Sequence, residues 1–217
     1  MRTALHALSC PTLMLSLVIA VAPARGAPNP APPTLTGELL HARHQDGGPQ
    51  IGTINYTGVC GPNSTLQYSA SGPAAGPYTG NFVESGAITF GDRLGEFSDE
   101  VEVLEISATF EIQSSIGDVT GTKSLDPLGS ASAICEFTHT WAVTADLSYV
   151  ARIHGQGTHS DQGTSTMQLR QSVTDIEFTE TFASNLVQVS PGSSFPVEPG
   201  RGCGDKNHVH ESSPDCP

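Results

Sequence analysis

Leu104-Glu105-Ile106-Ser107-Ala108-Thr109-Phe110-Glu111-Ile112 decides the fold class of this chain. Five apolar residues, Leu104, Ile106, Ala108, Phe110 and Ile112, alternate with Glu105, Ser107, Thr109, Glu111 and Gln113. Successive side chains of an extended strand point to opposite faces, so a strict period of two describes a strand with one face in a core and the other in water. The same period runs through Cys135, Phe137, His139, Trp141 and Val143 and resumes in phase at Leu147, Tyr149, Ala151 and Ile153. As one strand that run would be about 60 Å long, far beyond the usual length, so a break is expected near Ala145-Asp146.

Working outward, strands are expected over 54–60, 66–70, 82–90, 158–169 and 176–182. Turn chemistry falls at Gly61-Pro62-Asn63-Ser64, Gly72-Pro73, Gly76-Pro77, Gly117-Asp118 and Gly155-Gln156-Gly157. No stretch beyond residue 27 carries an apolar stripe of helical period. Many short strands without crossover helices predict an all-β protein. Its form is an antiparallel β-sandwich, jelly-roll or immunoglobulin-like, with a closed β-barrel as the alternative. At least seven strands should lie between residues 50 and 185, burying Phe110, Ile112, Phe137 and Trp141 together.

The ends of the chain differ from this body. Arg2 followed by a ten-residue apolar region over 13–22 and then small residues reads as a signal peptide, residues 1–26, with cleavage expected between Gly26 and Ala27. The apolar run is too short for a membrane anchor, so a secreted or extracytoplasmic chain with no transmembrane anchor is expected. Cys10 precedes that run and cannot serve as a lipid-attachment cysteine. A Pro-rich spacer follows at 27–34, then a β-sandwich domain at 35–189, a Pro/Gly/Ser linker at 190–202 and a Cys/His tail at 203–217. The whole chain has net charge −13; without Arg2 and Arg25 seven basic groups face 22 acidic ones, or −15. Such a surface repels phosphate backbones and anionic lipid, which disfavours nucleic acid and membrane surfaces as partners.

Four cysteines remain after the leader, and oxidation is their expected state outside the cell. Cys60 closes one predicted strand and Cys135 opens another, while Cys203 and Cys216 share the tail, so the expected bridges are Cys60–Cys135 and Cys203–Cys216. In the tail, His208 and His210 at i, i+2 with Asp205 or Glu211 form a candidate Zn or Cu site. Cys-ligated zinc there competes with the disulfide. Asp92, Glu96 and Asp99, with Glu100 and Glu102, gather the oxygens a Ca ion wants, in an order unlike the common calcium loop. His154, His159 and Asp161 flank the Gly155-Gln156-Gly157 turn and read as solvated, as do His41 and His44 beside Asp46. His139 has an apolar phase and reads as a core or edge histidine. Asn55-Tyr56-Thr57 and Asn63-Ser64-Thr65 are formal glycosylation sequons.

No nucleophile elbow, zinc-protease helix or phosphate-cradling loop is present in the sequence. Glu84, however, lies in phase with Phe82, Ile88 and Phe90, and Glu180 in phase with Ile176, Phe178 and Phe182. Two acids on inward faces are either an acid and nucleophile for glycoside hydrolysis or partners of Arg93, Lys123, Arg152 or Arg170. The readings are therefore an exported non-enzymatic β-sandwich protein binding an extracellular ligand or surface, an exported metal-binding protein using His208 and His210, or a jelly-roll-like hydrolase using Glu84 and Glu180.

Three stretches resemble segments of exported bacterial β-domain proteins of uncharacterised function. They are Gly76-Pro-Tyr-Thr-Gly-Asn-Phe-Val-Glu-Ser-Gly-Ala-Ile-Thr-Phe90, then Ser107-Ala-Thr-Phe-Glu-Ile112 with Gly117-Asp-Val-Thr-Gly-Thr-Lys123, and Gly202-Cys-Gly-Asp-Lys-Asn-His-Val-His210. The resemblance implies export and a β fold, and it carries no catalytic residue with it.

Overall fold

The computed structural model describes residues 33–136, 139–155 and 157–186. The expected signal peptide, linker and tail, with Cys203, Asp205, His208, His210 and Cys216, lie outside the described residues, as does Phe137.

Within them the chain forms ten antiparallel strands and no helix: β1 (Leu39–Gln45), β2 (Thr53–Gly58), β3 (Thr65–Ala75), β4 (Gly80–Arg93), β5 (Glu100–Ser114), β6 (Asp118–Leu125), β7 (Ala131–Cys135), β8 (Trp141–Gly155), β9 (Gly157–Gln171) and β10 (Asp175–Ser184). They form one sheet in the order β1-β10-β9-β8-β6-β5-β4-β3-β2, with β7 paired to both β5 and β8. The sheet folds over until β1 meets β3, where Leu39 pairs with Ala75 and Leu40 with Ala74. At the other end of β1 an isolated bridge joins Arg43 to Ile51, and the chain then continues into β2 along the outer edge of β3. The opposite walls touch across a single core: Phe82 of β4 stacks on Phe178 of β10 at 5.7 Å, and Phe110 of β5 meets Phe182 of β10 at 5.4 Å.

The all-β antiparallel expectation therefore holds, and Phe110, Ile112 and Trp141 are buried. On β5, Ile106, Ala108, Phe110 and Ile112 face inward as expected, but Leu104 is 54% exposed. Pairing slips between Thr89↔Glu105 and Phe90↔Val103, so one extra residue on β5 forms a bulge and turns Leu104 outward.

Two turn expectations are corrected. β8 runs unbroken through Ala145-Asp146; the reversal lies earlier, between β7 and β8, with Cys135 opposite Trp141 and Ala131 opposite Ala145. The Glu136 amide donates to the Thr140 carbonyl at 3.0 Å to close that turn, and His139 adopts φ 64°. His139 is consequently an exposed turn residue, not a core histidine. Gly72-Pro73 is no turn either, since both residues pair within β3, opposite Phe82 and Asn81. Glycine is required there by close approach: a Cβ on Gly72 would stand 2.4 Å from the His41 carbonyl oxygen of β1.

The expected body disulfide is present. Cys60, just after β2, is bonded to Cys135 at the end of β7, with Cα atoms 5.3 Å apart.

Candidate functional site

The sheet places chemistry in its interior, at one end, and in a surface cleft beside the disulfide. In the interior, Phe82, Glu84, Ile88 and Phe90 share the inward face of β4, while Phe178, Glu180 and Phe182 share that of β10. Val119, Gly121 and Lys123 share the inward phase of β6. The two acids and Lys123 meet: Nζ donates to Glu84 Oε2 at 2.5 Å and to Glu180 Oε2, and all three side chains are wholly buried. Tyr68 donates its hydroxyl to Glu84 Oε1 at 2.7 Å. The rings of Phe110 and Phe182 lie 4.4 and 4.7 Å from Nζ and cover it.

Two inward glycines make room for this packing. A Cβ on Gly121 would come within 2.3 Å of the Phe110 ring, and one on Gly86 within 2.8 Å of the Tyr68 ring. Burial, reinforced by the Glu84 charge and opposed by Lys123, pushes the Glu180 carboxyl up to about 8. Burial, then the charges of Glu84 and Glu180, hold the Tyr68 phenol well above its ordinary range. Glu180 Oε1 has no hydrogen-bond partner; buried Ser165 favours its charged form without meeting hydrogen-bond geometry. Of the four cations named as partners from sequence, Lys123 is the one taken. Arg93 donates to the Ser98 carbonyl, Arg170 pairs with Glu177, and Arg152 is exposed.

A second polar cluster clamps the segment leading into β1. Asp161 of β9 accepts from the Leu35 amide at 2.7 Å, the Tyr149 hydroxyl at 3.1 Å and the Ser184 hydroxyl at 2.5 Å. Glu38 accepts from the Tyr78 amide at 2.7 Å, and the Tyr78 hydroxyl donates to the Pro33 carbonyl at 2.5 Å. Burial raises the Glu38 carboxyl against the pull of that amide, and burial with the charges of Asp161 and Glu38 pushes Tyr78 up to about 12. Asp161 is thus a buried anchor and not a solvated turn residue; His154 instead contacts Thr158 at 3.2 Å across its own hairpin. His41 and His44 lie on strand β1, beside Glu177 and Asp46 at 3.2 and 3.6 Å.

At the disulfide end a cleft of about 270 Å³ lies among Tyr56, Arg93, Glu136, His139, Trp141 and Gln171. The Tyr56 ring, 38% exposed, meets Trp141 edge to face at 5.5 Å. A hollow of about 230 Å³ adjoins it across Glu136, Trp141 and Gln171, reaching Arg170 and Asp175. Gln171 lines both, and its Oε1 is buried without a hydrogen-bond partner. Sequence reasoning missed this cleft because its walls come from β2, β4, β8, β9 and the β7–β8 turn.

The acidic run does not gather on one point: Asp92 accepts from Asn63 at 2.8 Å, and Asp99 stands 4.0 Å from Arg93. Among the described residues no three His, Cys, Asp or Glu side chains group as metal ligands, and no helix is long and apolar enough to cross a membrane. No protein-family model, curated protein or solved structure matches the chain.

Proposed function

We propose that this is an exported binding module that acts without catalysis, through the cleft beside the Cys60–Cys135 bridge. The observation that carries this reading is Gln171 Oε1, buried without a partner beside the Tyr56–Trp141 ring pair. A buried acceptor left without a donor is costly, and a ligand N–H or O–H supplies the missing bond. The ligand class that fits is a small neutral molecule with such a donor and one flat apolar face for Tyr56. Export is supported by the leader pattern over 1–26, by the disulfide, and by outward strand faces such as Glu105, Ser107, Thr109 and Glu111. Sealing of Glu84 and Glu180 around Lys123 supports a role for these acids inside the fold and not on a substrate.

Trp141 is the sole tryptophan, so its fluorescence reports on the cleft. The test is a titration of the secreted protein with a library of neutral amides, monosaccharides and oligosaccharides, with hits located by backbone NMR shifts. Expected are shifts at Tyr56, Glu136, Trp141 and Gln171 that vanish in Gln171→Ala and Tyr56→Ala. Hits that map elsewhere, or none at all, would overturn the reading. Glycoside turnover by the natural protein but not by Glu84→Gln would replace it with the hydrolase.

A further inference from the structure

We propose that Lys123 and Glu180 condense to an internal amide that cross-links β6 to β10, with Glu84 as the group that receives the proton. These strands are separated in the sheet by β8 and β9, so the bond would span the interior. Lys123 is one of two lysines in the chain, the other being Lys206, and the fold directs it inward between two carboxyls.

Three features favour condensation over a lasting ion pair. The reacting groups are held in contact by rigid strands, which replaces an encounter by a preset geometry. The site is sealed, with aromatic rings over Nζ, so charge there is expensive and a neutral amide ends that cost. Hydrogen bonding also divides the roles. Both oxygens of Glu84 accept, one from Tyr68 and one from Lys123, which suits a proton acceptor. Glu180 has one oxygen on Lys123 and the other without a partner, which suits the acyl donor. Burial and the neighbouring Glu84 charge raise the Glu180 carboxyl and favour its protonated form, whose hydroxyl can leave as water.

The step balances. The Lys123 ammonium passes one proton to the Glu84 carboxylate, and the freed amine attacks Cδ of protonated Glu180, forming the N–C bond. A second proton from nitrogen, relayed through Glu84, joins the departing hydroxyl as the C–O bond breaks. The products are one amide, one water and protonated Glu84; the cluster is neutral before and after, and no oxidant or reductant is needed.

Mass spectrometry of the secreted full chain, reduced and alkylated, tests this directly. The expected mass falls short of that calculated from its own N-terminus by one water. Trypsin should fail to cut after Lys123 and release a branched peptide joining residues 94–152 to residues 171–201. Glu84→Gln should restore the full mass, and Lys123→Met should do so whether or not it folds. A full mass for the natural chain with normal cleavage after Lys123 would overturn the proposal. A branch to residues 44–93 would also overturn it, by placing the bond on Glu84.

Discussion

Tyr68→Phe removes one oxygen from the interior and nothing else. The ring volume is kept and no cavity opens, so the change isolates the hydroxyl that donates to Glu84 Oε1 at 2.7 Å. Tyr68 is nearly inaccessible. Removing the donor leaves a buried Glu84 oxygen unsatisfied, which costs about 1–3 kcal/mol, so a loss of about 2 kcal/mol is expected. In urea this lowers the midpoint by about 1 M at unchanged slope, and on heating it lowers Tm by about 4–8 °C. Tyr56→Phe, at a half-exposed ring, serves as the control and should stay within about 0.5 kcal/mol. If the two variants melt alike, Glu84 does not depend on Tyr68 and the division of roles within the interior cluster is wrong.

The Cys60–Cys135 bridge closes a loop with sequence separation 75, which the chain-entropy relation values at about 4.5 kcal/mol. A double Cys→Ser variant should therefore melt about 10–18 °C lower by calorimetry, and a drop under about 3 °C would refute that account. Arg43 donates two hydrogen bonds to Asp175 and holds its carboxyl below the ordinary value of 3.8. A depressed carboxyl stabilises the fold above its unfolded pKa, and the benefit is lost as pH falls through the lower folded value. The Tm gap between the natural protein and Arg43→Gln should thus be full at pH 7 and close towards about pH 2; a constant gap over that range would contradict it.

Glu84 and Glu180 were visible from sequence because the period of two is strict, and a charge on an apolar phase must find a partner or stay neutral. Lys123 was named only as one of four candidate cations, because no strand was expected over 118–125; its inward phase with Val119 comes from β6. The β7–β8 reversal was not visible. Cys135 and Trp141 are hairpin partners facing one core, and an alternation counted along the chain passes through such a turn without changing phase. The Leu104 bulge was hidden by the opposite effect: the sequence alternates perfectly while the pairing slips by one residue. Gly72-Pro73 carries the composition of a turn, yet its glycine answers to the nearby carbonyl of His41, a contact no local pattern encodes.

The same distinction separates the two candidate sites. The interior cluster is built from residues whose strand phase sends them inward, so its two acids leave a local trace in sequence. The cleft has none. Tyr56, Arg93, Glu136 and Gln171 are unremarkable within their own segments, and only the joining of β2 to β3, the β7–β8 turn and the Cys60–Cys135 bond bring them to one place. Breaking that bond should therefore disturb the cleft far more than the interior. In the double Cys→Ser variant below its melting point, backbone shifts should concentrate at Tyr56, Glu136 and Gln171, while amide protection at Glu84, Lys123 and Glu180 stays at the global level. Loss of protection at those three residues below the melting transition would show that the disulfide end and the interior form one cooperative unit.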